Sequence, residues 1–255
     1  MPSLAPYARL PRTLGASGVL AQLWRADRGR SAAVSLLPLL ALATATRLSA
    51  SVAGPSLTLA AGVRERAVPS ALRHLSRSGP ATHAEQPPGR YQLARALGWP
   101  HAGRGNAGAV FPAHLVTEGV WPGLPATHRC VLLALLLRSR TWYGSHHFDF
   151  DPDLVDDLHK MAAVDVGGNP ERDPELDFED LVEEGEHAYV RRMGDIDVST
   201  LSRDTGVAES AARAAVNDLS EYHGGTLLQV LDEDATSWLY HLSEEGWWRG
   251  DPEPV

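Results

Sequence analysis

The chain has 255 residues, 44% apolar and 22% charged, ordinary values for a globular protein with room for one or two domains. Its single cysteine, Cys130, excludes an intrachain disulfide framework and a multi-cysteine zinc site. The formal net charge of −9 hides a division: residues 1–112 carry 13 Arg against Asp27, Glu65 and Glu85, whereas 113–255 carry 10 basic and 29 acidic residues.

Residues 1–108 sustain no apolar period of 3.6 or 2 and are rich in Ala, Arg, Ser, Pro and Gly, which predicts a basic, poorly ordered region. Pro-Pro-Gly at 87–89 and the glycines at 103–108 mark 78–110 as a linker. One run, Ser31–Thr46, is apolar and follows Arg25, Arg28 and Arg30. Three readings fit it: a secretory signal, a buried helix, or part of a prefix translated from a start codon set too far upstream in GC-rich DNA. It is short for a bilayer span, and Pro38 interrupts it.

From Ala109 the pattern sharpens, and a domain is predicted over 109–244. Val110–Val116 is a short apolar segment. Pro125 then opens a helix through Arg138 that is apolar nearly all round, and so central to a core. Cys130 fits that helix as a small hydrophobe. Asp197 is placed to cap a short helix through Asp204. Thr205-Gly206-Val207 reads as a tight turn. The next helix, 209–222, carries Ala212, Ala215, Val216, Leu219 and Tyr222 on one face. Two β-prone runs, 226–231 and 236–242, flank a polar turn and read as a hairpin. Residues 245–255 form a tail.

Helix, Gly turn, helix and hairpin resemble a winged helix-turn-helix. Leu201–Val207, Val216–Leu219 and Gly225–Leu228 carry the likeness. Phe111–Leu137 is similar to the opening strand and first helix of such domains in bacterial regulators and in plasmid and phage replication initiators. The resemblance implies a mainly α fold with a small β-hairpin wing, and a second helix that reads double-stranded DNA. Ser210, Arg213 and Asn217 would face the bases and Arg203 the backbone. The charges oppose this: 198–255 holds 3 basic and 11 acidic residues, and the wing turn is Asp232-Glu233-Asp234. The basic N-terminal region is one source of compensating attraction. The alternative is a winged helix used for protein interaction or dimerisation, a homodimer included.

An acidic insertion is expected over 139–196. Its opening holds His146, His147 and His159 among several Asp. His146, Asp149, Asp153 and Asp156 suit a divalent metal by ligand type, but the same acids read as a solvated helix face. The acids between 173 and 186 read as a solvated loop, or as an autoinhibitory mimic of nucleic-acid charge. Trp247-Trp248-Arg249 reads equally as a core cap or an interface anchor. No Gly-rich phosphate loop, nucleophile elbow or internal repeat of 20 to 50 residues stands out, and Lys160 is the only lysine. The expectation is therefore a cytoplasmic DNA-binding protein, not an enzyme, with no cofactor, metal or membrane partner.

Overall fold

A computed structural model describes residues 4–26, 32–45, 49–78, 81–86, 89–95, 108–144, 189–222, 227–233 and 236–242. The His/Asp cluster of the insertion, its acidic loop and Trp247-Trp248-Arg249 lie outside these residues. The described chain is mainly helical with small antiparallel sheets.

Two helices without a polar face organise the core. The helix Ala32–Thr44 is buried at every residue, and Arg129–Leu137 is buried throughout within the helix Ala126–Arg138. A helix apolar all round must be enclosed on all sides. Each fully buried leucine contributes roughly 2 kcal/mol. The two helices touch, and the elements that enclose them come from both halves of the chain.

Those elements fall into two runs of the same order. The first is β1 (Tyr7–Pro11), α1 (Thr13–Ala16), α2 (Val19–Ala26), α3 (Ala32–Thr44), β2 (Ser49–Ala53), α4 (Gly54–Ala61), α5 (Val68–Arg77), β3 (Ala81–Gln86) and β4 (Arg90–Arg95). The second is β5 (Gly108–Pro112), α6 (His114–Thr117), α7 (Val120–Gly123), α8 (Ala126–Arg138), β6 (Arg140–Gly144), β7 (Tyr189–Asp197), α9 (Val198–Thr205), α10 (Glu209–Glu221), β8 (Gln229–Glu233) and β9 (Ser237–Leu242). The sheet order β2-β4-β3 of the first run recurs as β7-β9-β8 in the second, where β6 adds one strand beside β7.

Sequence follows the same duplication. Pro11, Leu14, Gly18, Val19 and Leu23 match Pro112, Leu115, Gly119, Val120 and Leu124 at one constant offset. Leu57, Gly62, Val63, Glu65, Ala71 and Leu75 match Leu201, Gly206, Val207, Glu209, Ala215 and Leu219 at another. The two offsets, 101 from Pro11 to Pro112 and 144 from Leu57 to Leu201, are both far beyond the 20 to 50 residues of stacked arrays.

The two copies are related by an approximate two-fold axis. Strands β1 and β5 pair antiparallel with Arg9 opposite Val110. These two residues are counterparts, each two positions before the matched proline. An antiparallel pair in which counterparts face each other is self-complementary, as across a dimer axis. The packing is reciprocal as well. Gly62 ends α4 and Gly206 ends α9, both left-handed, as a helix C-terminus often requires. Gly62 lies against Pro122 of the second copy, and Gly206 lies against Ala21 of the first. Ala21 and Pro122 are counterparts, so each copy closes the other's turn.

This arrangement corrects two expectations. Residues 1–108 were expected to be poorly ordered and separate from a domain starting at 109. Their described residues instead form helices and strands, and β1–β5 pairing joins the halves across that boundary. Arg25, Arg64, Arg66, Arg73, Arg77 and Arg90 stand exposed on or between these elements, whereas Arg9 of β1 is buried. The run Ser31–Thr46 contains α3, so the buried-helix reading is the one the structure contains. The acidic insertion also narrows, because 140–144 and 189–197 are paired strands. Among the described residues, no helix is long and apolar enough to cross a membrane.

Asp197 caps α9 as expected, its Oδ1 accepting from the Thr200 amide at 2.7 Å. The hydrogen bonds from Ser199 and Thr200 hold its carboxyl well below the usual carboxylate range. A depressed folded-state pKa stabilises the fold above the unfolded value of about 4, and that contribution is lost as pH falls below it. Asp197→Ala is expected to cost about 1 kcal/mol at neutral pH and less in acid, measured by urea unfolding at both pH values.

Candidate nucleic-acid interface

The second copy holds all four residues expected to meet DNA. Ser210 and Asn217 are exposed on α10, as expected for a reading face. Arg213 is half-buried, and its guanidinium carbon stands 4.9 Å from the centroid of the Trp238 ring on β9. It is thus engaged in a cation–π contact between helix and hairpin. Arg203 is exposed on α9, with Nη2 donating to Thr200 Oγ1 at 3.1 Å and Nε 3.7 Å from Asp204. Arg203 stands on α9 and the other three on α10. Around them, Glu209, Asp218 and Glu221 are exposed on α10. Asp218 lies 2.9 Å from His128 Nε2 on α8, which ties α10 to the core.

Asp204 is buried and paired with Arg138 of α8 through Nε at 2.8 Å and Nη2 at 2.5 Å. Removing Arg138 would leave this buried carboxylate only the longer contact with the exposed Arg203. Arg138→Ala is expected to destabilise by about 3 kcal/mol, read from urea midpoints, with Arg138→Lys recovering part of the loss. Cys130 is fully buried on α8, its Sγ 3.8 Å from the Thr205 carbonyl, and burial pushes its thiol up. Its surroundings suit packing and give the thiol no route to a thiolate.

The first copy contains a second helix pair, α4 and α5, which sequence reading passed over. Val68, Ala71, Leu72 and Leu75 face the core, at the positions of Ala212, Ala215, Val216 and Leu219 in α10. The outward positions differ in charge. Arg64, Arg66, Arg73 and Arg77 are exposed, where the second copy has Ala208, Ser210, Asn217 and Glu221. Residues 53–78 carry four Arg and one Glu, a net of +3, and their counterparts 197–222 carry two Arg and five acids, a net of −3. The core of the helix pair is kept while its surface charge is inverted.

The hairpins repeat the contrast. The turn between β3 and β4 leads into Arg90, which is exposed, whereas the turn after β8 follows Asp232 and Glu233 in sequence. Gly54 donates its amide to Gly89 at 2.7 Å, which fixes the first hairpin against the start of α4. The signal for this surface was present in the sequence as Arg73 and Arg77, one helical turn apart on an otherwise apolar-faced segment.

Among the described residues, no group of three or more His, Cys, Asp or Glu side chains is placed to hold a metal ion. No protein-family model, characterised protein or solved structure matches this chain.

Proposed function

We propose that the chain is a tandem pair of winged helix-turn-helix units that binds double-stranded DNA through the first. The observation that supports this is the row of exposed arginines on and before α5, set against the acidic face of its counterpart α10. DNA affinity comes largely from cations that replace condensed counterions, so the copy carrying the cations is the one that binds. Arg73 and Arg77 stand on the outward face of α5, the position of a recognition helix. Arg90 extends the positive surface to the first hairpin. The role as a bacterial regulator or a mobile-element replication initiator rests on the family resemblance.

The second copy takes a different part in this reading. Its face offers Ala211, Ala214 and Ser210 beside Glu209, Asp218 and Glu221, small and acidic side chains that suit a protein partner better than phosphate. This favours the interaction-module reading for α10 alone.

The test is binding of the full chain to mixed-sequence duplex DNA across a salt series. A steep loss of affinity with rising salt is expected. Absence of binding at low salt to mixed duplex and to a selected pool of random duplexes would contradict the proposal.

A further inference from the structure

A cleft of about 660 Å³ opens beside the turn that follows α4, between the start of α5 and α8. Its polar lining is Arg64, Arg66, Ser70 and Arg129, and none of the lining residues is acidic. Arg64 and Arg66 stand at the rim, exposed. Arg129, from the other copy, is only 5% exposed.

Arg129 is the informative group. One terminal nitrogen donates to the Ala61 carbonyl, and Nε is buried with no hydrogen-bond partner. No carboxylate pairs with it among the described residues. Burial pulls its pKa down to about 10, which still leaves it charged at neutral pH. A buried cation without a counter-charge is expensive, and an anion in the cleft would offset that cost.

The fold itself does not require these arginines. By the internal repeat, the counterparts of Arg64 and Arg66 are Ala208 and Ser210, and with the equal-length helices α3 and α8 aligned end to end Ser35 stands where α8 has Arg129. The second copy therefore builds the same turn with no cation at any of the three positions. Three arginines, two from the first copy and one from the second, line this one cleft.

We propose that this cleft binds phosphate groups of a nucleotide-sized ligand. Guanidinium forks match phosphate oxygens in pairs, and the Ser70 hydroxyl adds one more donor. The volume exceeds that of a single phosphate and lies in the range of small-molecule sites. The phosphates belong either to the DNA backbone, continuing the surface of α5, or to a free nucleotide. The inference goes beyond DNA reading by Arg73 and Arg77 and does not depend on it.

Titration calorimetry of the full chain with inorganic pyrophosphate tests it. Residues 1–112 are basic despite the overall net charge of −9, so a control arginine on that part separates the cleft from bulk attraction. Arg64→Ala/Arg66→Ala is expected to weaken binding at least about tenfold, because charge-assisted hydrogen bonds are lost. Arg129→Lys keeps the charge but not the fork, and a similar loss is expected, with its thermal melting recorded to confirm the fold. Arg25→Ala, an exposed arginine on α2, is expected to leave the affinity within twofold. Absence of binding at millimolar pyrophosphate, or equal binding by all variants, overturns the proposal. Duplex DNA added to the pyrophosphate complex then separates the sources. Displacement assigns the cleft to backbone phosphates, and simultaneous binding assigns it to a free phosphorylated ligand. If the chain binds no DNA at all, the pyrophosphate titration still decides the cleft.

Discussion

Arg73→Ala/Arg77→Ala is expected to lower affinity for mixed-sequence duplex DNA by about 10- to 100-fold near 0.1 M salt, and to reduce the slope of log affinity against log salt by nearly 2. Each phosphate contact contributes roughly 0.9 to that slope, and two exposed arginines are removed. Both side chains project from α5 away from its buried face, so folding should be retained and urea midpoints should stay near those of the wild type. Arg213→Ala is expected to behave in the opposite way. It loses its stacking on Trp238, which costs about 0.5–1 kcal/mol of stability, while DNA affinity stays near the wild-type value. Fluorescence anisotropy over a salt series checks both. Equal loss of affinity in the two variants would mean that both copies meet DNA.

The second large effect concerns the turn shared by the copies. Gly62→Ala places a Cβ at φ +62, a region that costs an L-residue roughly 1–2 kcal/mol. The new atom would also stand 2.8 Å from Pro122 Cα and 2.7 Å from an Arg129 terminal nitrogen. Pro122 is backbone-fixed on α7 and cannot swing aside, so overpacking adds about 1–3 kcal/mol. A total near 3–4 kcal/mol is expected in urea unfolding. Gly206→Ala meets Ala21 at 3.2 Å, a looser contact, and should cost about 2 kcal/mol. The order, Gly62 above Gly206, follows from the reciprocal packing. Wild-type stability of Gly62→Ala would show that the two copies do not close each other's turns.

The second copy was legible in the sequence because its signals are local. Asp197 announces a cap, Gly206 a turn, and Ala212, Ala215, Val216 and Leu219 one helical face. The boundaries expected for α8, α9, α10 and β9 fall within a residue or two of those found. The first copy uses the same plan with weaker punctuation. Ala53 precedes α4 without a side-chain cap, and Pro69 enters the first turn of α5. Helix α3 is apolar on every face, so it has no period to detect. Its position between basic residues made it resemble a signal segment.

The repeat is faint in the sequence for a physical reason. What the copies share is their buried positions and turn glycines, a sparse set. What they present to water has diverged to opposite charge. A composition reading sees that divergence first and divides the chain in two, whereas packing unites it. The acidic surface that opposes DNA binding is that of α10, and the proposal assigns DNA contact to α5 instead. Arg203, Ser210, Arg213 and Asn217 belong to the second copy, and the proposed interface rests on Arg64, Arg66, Arg73 and Arg77 of the first.

The most direct measurement is hydrogen exchange of the full chain with and without duplex DNA, resolved by peptide. The account predicts slowed exchange over residues 64–78 on adding DNA, with little change over 208–221. Protection confined to 208–221 in the presence of bound DNA would contradict it.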